Sequence, residues 1–264
     1  MRNIHDEKYQ SVLIKEIKNG IDNKIPFSLV RIGDGEVGII SQKFPGIYDR
    51  LLEQFYWWLP NKEYYTEYCG AEADDLEYVE QLIESLKNAD IVGYFDQSRG
   101  HNRYTNATSA ILNAINFHPK NSIYAFENIY LLQNQDFINL IKEHPPLLIG
   151  KLAKPFKDIL ETTLDIKLPK TMHIENNKEL DDLVLKLKKR KKWKWALVSA
   201  GANANIICNE IKKQGKVGID FGSGIDMLMR HILKLEASTN LKYDFFNNIN
   251  IDKIKKYSEL VRMF

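Results

Sequence analysis

Residues 28–38, Ser28-Leu29-Val30-Arg31-Ile32-Gly33-Asp34-Gly35-Glu36-Val37-Gly38, set an apolar run directly ahead of three glycines and two acids. The run reads as a buried strand, and the glycines behind it spell G-x-G-x-x-G, the spacing of a dinucleotide-binding turn. That fingerprint also calls for a second strand ending in an acid about 20 residues later, to hold a ribose. Residues 51–60, LLEQFYWWLP, read as a helix or an aromatic loop instead. The same glycines enclose Asp34 and Glu36, and carboxylates set against a pyrophosphate cost about 1–4 kcal/mol per pair. A divalent cation between them reverses that sign. In an extended loop residues i and i+2 point to one side, so Asp34 and Glu36 are expected to converge while Gly33 and Gly35 leave room. Ligation by oxygen alone favours Mg²⁺ or Mn²⁺, with diphosphate oxygens completing the shell. The alternative is a tight D-G turn with solvated acids.

Outward from this stretch, strand-like and helix-like segments alternate. Short apolar runs at 27–32, 90–95, 121–126, 145–150, 195–200 and 216–221 read as strands. Amphipathic stretches at 74–89, 136–144 and 177–191 read as helices, and an earlier helix over about 6–19 is expected to stop at Asn19-Gly20. Such alternation predicts an α/β fold, a Rossmann-like, mostly parallel sheet with helices on both faces. No linker divides the chain. The expected organisation is one domain over residues 1–235, with residues 236–264 as its C-terminal helical extension.

Composition bounds the function. The chain has 264 residues, 44% of them hydrophobic, and its 37 basic and 35 acidic residues leave a net charge of +2. Disorder is not expected, and no nucleic-acid partner is implied. Cys69 and Cys208 lie far apart, without metal-site spacing. The amino terminus lacks an apolar signal core and no run is long enough to span a bilayer, so a cytoplasmic setting is expected. The one strongly basic run, residues 186–195, includes Trp193 and Trp195. It reads as a solvated helix end, or alternatively as a peripheral contact with the anionic inner face of a membrane bearing a lipid-linked acceptor.

Two later strand ends repeat the small-residue pattern. Ser199-Ala200-Gly201-Ala202 precedes a helix with Ile206, Ile207 and Ile211 on one face, and Asp220-Phe221-Gly222-Ser223-Gly224-Ile225-Asp226 follows the last strand. Ligands collect at the carboxyl ends of strands in open α/β sheets, and helix N-termini offer N–H groups to phosphates. Close packing of helix on strand explains the small residues equally well.

Arg31, Gly33, Asp34, Gly35 and Glu36, as R-x-G-D-G-E, together with Ser199, Gly201 and Ala204 and then Gly215, Asp220 and Gly222, resemble the GT-D fold glycosyltransferases of bacteria, long catalogued as a domain of unknown function. The match is spread over some 190 residues. The resemblance implies a nucleotide-sugar transferase of hexosyltransferase type. Asp34 and Glu36 would serve Mn²⁺ or Mg²⁺ on the donor diphosphate, and the late glycine loop, with Ser199, Gly201, Ala202 and Gly222, would help hold the nucleotide. By analogy the donor is a UDP-sugar and the acceptor a bacterial surface glycan or glycoprotein glycan. The histidine that often follows the family's last Asp-x-Gly is absent here, where Ser223 stands, and Asp226 is the nearest equivalent of the family's acid.

For such a transfer, Arg31 offers fixed positive charge beside the leaving group. An inverting reaction needs a carboxylate base, for which Asp220, Asp226, Glu127 and Asp96 each lie near a strand end. The polar loop at 96–104 and the aromatics Trp57, Trp58, Tyr64 and Tyr65 are alternative sugar contacts, or simply loop and core. Rival readings are a NAD- or S-adenosylmethionine-dependent Rossmann enzyme using GDGEVG, and a nucleotide-binding module without turnover.

Overall fold

Six short runs of apolar and β-branched residues pair side by side and all in parallel, so each is covered by connecting segments on its faces. The computed structural model describes residues 7–53, 65, 69–71, 75–95, 102–131, 134–222 and 224–225. In chain order the elements are α1 (Glu7–Asn23), β1 (Phe27–Arg31), α2 (Asp34–Ser41), α3 (Pro45–Glu53), α4 (Leu76–Lys87), β2 (Ile91–Tyr94), α5 (Asn102–Ala114) and β3 (Ser122–Tyr124). There follow α6 (Glu127–Leu131), α7 (Gln135–Glu143), β4 (Leu147–Gly150), α8 (Ala153–Leu164), α9 (Leu180–Lys189), β5 (Trp195–Ser199), α10 (Asn203–Lys213) and β6 (Val217–Asp220). All six expected strands are present, and the α/β class with a parallel, two-sided sheet is what the structure shows. Residues 226–264 lie outside the described residues, and with them Asp226 and the expected C-terminal extension.

The strand order is β3-β2-β1-β6-β5-β4. The first three strands step towards one edge, the chain then crosses to the opposite edge, and β4, β5 and β6 step back until β6 meets β1. The two halves join along one ladder, in which Phe27 faces Val217, Ser28 faces Gly218 and Leu29 faces Ile219.

Alternate strand residues serve two cores. Val30, Val92, Ile149 and Val198 pack with α2, α4, α5, α9 and α10, whereas Leu29, Leu148, Leu197 and Ile219 pack with α1, α7 and α8. Helix starts are fixed locally: the Asp75 carboxylate accepts from the Tyr78 N–H at 3.1 Å, and Asn134 caps α7 through the Asp136 N–H.

One helix changes its bounds, and two groups of aromatics find their place. Helix α1 does not stop at Gly20 but runs on to Asn23, closed by Lys24 at φ 56°. Gly20 is a packing residue, since a Cβ there would fall 2.9 Å from Val217 Cγ2. Trp193 and Trp195 do not stand on the surface with the lysines: they are 7% and 0% exposed. Trp193 donates its indole N–H to the Arg190 carbonyl at 2.9 Å, and Trp195 packs edge-on against Phe137. Tyr65 is 2% exposed and belongs to the core. Trp57, Trp58 and Tyr64 lie outside the described residues.

On β6, Gly218 brings α10 against the sheet, and a Cβ there would meet the Cys208 backbone at 2.9 and 3.0 Å. Both contacts are to backbone, which cannot rotate away. Gly218→Ala is expected to lower stability by about 1–3 kcal/mol, read as a lower urea midpoint at unchanged m-value.

Candidate active site at the carboxyl ends of β1 and β6

Strand β1 is buried through Ser28, Leu29 and Val30, and delivers Arg31 to the carboxyl edge of the sheet. There the Arg31 guanidinium spans the ends of several strands. Its Nε donates to Asp220 Oδ2 at 3.2 Å, at the end of β6, and its Nη1 donates to the Ala125 carbonyl at 3.0 Å, just past β3. The pair is well enclosed, with 15% of the Arg31 side chain and 2% of the Asp220 side chain exposed. Asp220 turns its other oxygen, Oδ1, to the Gly222 N–H at 2.8 Å. Gly222 has φ 44°, and a Cβ there would fall 1.3 Å from Arg31 Nη2. Only glycine fits beneath that guanidinium. The Ser199 hydroxyl donates to the Gly222 carbonyl, and the Asn128 amide donates to the Phe221 carbonyl, so the turn after β6 is held from β5 and from α6.

The acids of GDGE do not lie in an extended loop. Gly33 is the last extended residue, at φ −108° and ψ −161°, and Asp34, Gly35 and Glu36 form the first turn of α2. At 3.6 residues per turn, i and i+2 are roughly 200° apart around the axis, so the expected same-side convergence of Asp34 and Glu36 does not occur. Both acids still sit at the positive end of the helix dipole. Asp34 is half-buried and accepts from the Gly35 N–H at 3.1 Å. Glu36 folds back to accept the Gly33 N–H at 2.7 Å, which is half of a capping box.

Glu36 faces the Arg31–Asp220 pair. Burial pushes its carboxyl up to about 7, and the Asp220 charge adds to the rise while Arg31 and the Gly33 N–H oppose it. The Asp220 carboxyl is also raised, by burial first, against the pull of Arg31 and the Gly222 N–H. The cluster thus holds two carboxyls beside one guanidinium, Asp220 buried and Glu36 half-buried.

Of the residues singled out from sequence, Arg31, Gly33, Glu36, Asp220 and Gly222 come together here, with Ser199 behind the turn and Asp34 half-buried in the first turn of α2. Gly35 faces elsewhere: a Cβ would fall 2.6 Å from Cys69 Sγ. Gly38 likewise admits the Tyr65 hydroxyl. Gly201, at φ 56°, makes room for the Cys69 carbonyl, where a Cβ would sit at 2.2 Å, and the Ala202 N–H donates to that carbonyl at 3.1 Å. Residues 69–70 therefore cover the start of α10. Glu127 is buried and accepts from Gln10 Nε2 at 2.8 Å. Asp96 lies outside the described residues.

Sequence reasoning missed Asn205, Asn128 and the strap at 69–70. The one signal was the run Asn203-Ala-Asn205-Ile-Ile-Cys-Asn209, three amides on a helix whose surroundings are apolar; all three are buried.

A family model described as a GT-D fold-like domain matches residues 9–228. Among solved structures, a selenomethionine-substituted structure of domain of unknown function 1792 is similar with a TM-score of 0.56 at 14% identity, covering 89% of this chain and 87% of that one. A structure described as a new glycosyltransferase (DUF1792) from Streptococcus sanguinis is similar with a TM-score of 0.55 at 12% identity, covering 92% of each chain. A third, described as the highly conserved domain of unknown function 1792 with a distinct glycosyltransferase fold, gives a TM-score of 0.52 at 13% identity, covering 89% and 87%. At such identities the likeness is one of fold. No curated protein matches the chain.

The Glu36 environment has a pH signature. Its folded pKa of about 7 against an ordinary 4.5 means that the folded chain holds more protons than the unfolded chain between those values. Stability therefore falls as pH rises through that window. Glu36→Gln keeps an acceptor for Gly33 and removes this slope. Urea unfolding from pH 4.5 to 8 in metal-free buffer is expected to show the variant gaining on the wild type, by up to roughly 3 kcal/mol at the top. Parallel curves would contradict the assignment.

Proposed function

Because the chain belongs to the GT-D-like family, whose model spans residues 9–228, we propose that it is a glycosyltransferase that moves a sugar from a nucleotide diphosphate donor to a glycan acceptor. The observation that carries this reading is the cluster of Arg31, Asp220 and Glu36 at the carboxyl ends of β1 and β6, beside the N-terminus of α2. A guanidinium held rigidly at a sheet edge suits the negative charge that develops on a departing diphosphate. Asp220 has both oxygens engaged, by Arg31 and by Gly222, so its part is to fix the guanidinium and not to take a proton. A carboxyl near 7, as at Glu36, suits proton exchange at neutral pH.

A divalent metal would meet these acids singly: Asp34 and Glu36 are hard oxygen ligands, but they diverge by roughly 200° around α2, so Asp34 would be the direct ligand while Glu36 stays on the Gly33 N–H. Among the described residues no three His, Cys, Asp or Glu side chains gather as a ready-made cage, so most ligands of Mn²⁺ or Mg²⁺ would come from the diphosphate and water. When bound, the metal would supply Lewis-acid stabilisation of the leaving diphosphate. In this reading the donor is a UDP-sugar and the acceptor a bacterial surface glycan or glycoprotein glycan.

The position of the basic run bears on the acceptor. Lys188 and Lys189 end α9 and Lys194 precedes β5, at the amino end of the sheet and opposite Arg31 and Asp220. Several of its charges are answered, Lys186 by Asp182 and Lys188 by Glu210. With Trp193 and Trp195 in the core, any contact with an anionic membrane through residues 186–195 would be electrostatic alone and would turn the site away from the lipid. An acceptor free of the membrane suits this geometry better than a lipid-linked one. No helix among the described residues is long and apolar enough to cross a membrane.

Calorimetry with UDP, with and without Mn²⁺, tests the reading. Metal-dependent UDP binding is expected, weakened at least about tenfold in Asp34→Ala, a loss of 1.4 kcal/mol or more. UDP release over a panel of UDP-sugars with glycan acceptors is expected to fall about 100-fold or more in Arg31→Ala. Metal-independent binding of NAD⁺ or S-adenosylmethionine would overturn the reading, and UDP binding without turnover of any donor would leave a binding module.

A further inference from the structure

Strand β1 outlasts its neighbour. The β1–β6 ladder ends at Leu29 and Ile219, and β6 then bends towards β5, where the Phe221 N–H bonds to the Val198 carbonyl at 2.7 Å. On the other side β2 keeps pace, since Arg31 stands in register with Gly93 and the Ile32 N–H reaches the Gly93 carbonyl at 2.8 Å. The backbone N–H and C=O of Arg31 are therefore left facing the gap that β6 vacates. Buried backbone groups of this kind must find partners.

Asn205 supplies both. Its Oδ1 accepts from the Arg31 N–H at 3.2 Å and its Nδ2 donates to the Arg31 carbonyl at 2.8 Å, from the first turns of α10 and 174 residues away in sequence. The side chain is 0% exposed. A primary amide presents one donor and one acceptor in one plane, so it reproduces here what a strand would have offered. This contact is also the last one on the backbone of Arg31 before the side chain leaves for Asp220 and Ala125.

We propose that Asn205 is a positioning residue: it stands in for the missing strand at the end of β1, and so fixes where the Arg31 guanidinium meets Asp220. Asp, Ser and Leu each fail the requirement, since Asp and Leu lack a donor and Ser cannot reach both groups. The catalytic consequence rests on the glycosyltransferase reading above, whereas the structural consequence does not.

The test separates the two. The Nε–H signal of Arg31 in a ¹H–¹⁵N correlation spectrum, assigned by its loss in Arg31→Lys, reports the Asp220 contact directly. In Asn205→Ala and in Asn205→Asp, which keeps the side-chain volume, that signal is expected to shift and to exchange with solvent about tenfold faster or more. Asn203→Ala, which removes a comparable buried amide bond to the Gly70 carbonyl at 2.8 Å, is expected to leave it in place. In UDP-sugar turnover the Asn205 variants are expected to lose kcat by about 10- to 100-fold with little change in KM. An unmoved Arg31 signal in a folded Asn205 variant would overturn the proposal. If the wild type turns over no donor, the functional reading fails and the spectrum still decides the role of Asn205.

Discussion

An arginine side chain laid across the end of a parallel sheet sets the terms for everything near it. Arg31 cannot shed its charge, and with only 15% of its side chain exposed it needs fixed partners. Asp220 provides the counter-charge and Ala125 a carbonyl. Breaking one partner of such a pair typically costs 3–5 kcal/mol, because the other charge stays buried and unanswered. The guanidinium also occupies the volume that any side chain at position 222 would take, which dictates glycine there and a left-handed turn after β6. Ser199 and Asn128 then hold that turn by its carbonyls.

The glycines around Asp34 serve a different neighbour from the one their spacing suggests. In a dinucleotide fold, glycines at these positions admit a pyrophosphate and the packing of a helix on a strand. Here Gly35 and Gly38 admit Cys69 and Tyr65, and Gly201 admits the carbonyl of Cys69. The segment that carries Cys69 and Gly70 thereby touches the start of α2 and the start of α10 together, with the Asn203 amide bonded to the Gly70 carbonyl. Two glycines distant in sequence, Gly35 and Gly201, answer to one short strap.

The sheet was legible because its strands are buried on both faces. Runs such as 195–198 and 217–219 hold no charged or polar side chain outside the indole and are buried throughout, for reasons local to each strand. What was not legible depends on partners far away in sequence. Gly20 looked like a helix stop, since nothing nearby shows that Val217 needs its missing side chain. Asp34 and Glu36 looked extended, because an eight-residue helix starting at Asp34 carries too weak a pattern to be seen. Trp195 was legible as the first residue of an apolar strand that is buried over four consecutive positions, whereas nothing in the basic run showed that Trp193 turns inward too. Asn205 was passed over for the same reason as Gly20, its partner being 174 residues away.

The strand order has a consequence in time. Because the two halves of the sheet meet only where β6 joins β1, the Arg31–Asp220 contact closes a loop of 189 residues. During synthesis Arg31, Asp34 and Glu36 emerge early, but the carboxylate that answers Arg31 and the turn that Gly222 makes emerge only after β5 and α10. Contacts of such long range are slow to form, since loop closure must be met before they contribute. A nascent chain halted anywhere before β6 can pair β1 with β2 and still lack the guanidinium's partner. Assembly of the site thus waits on β6, however early Arg31 emerges.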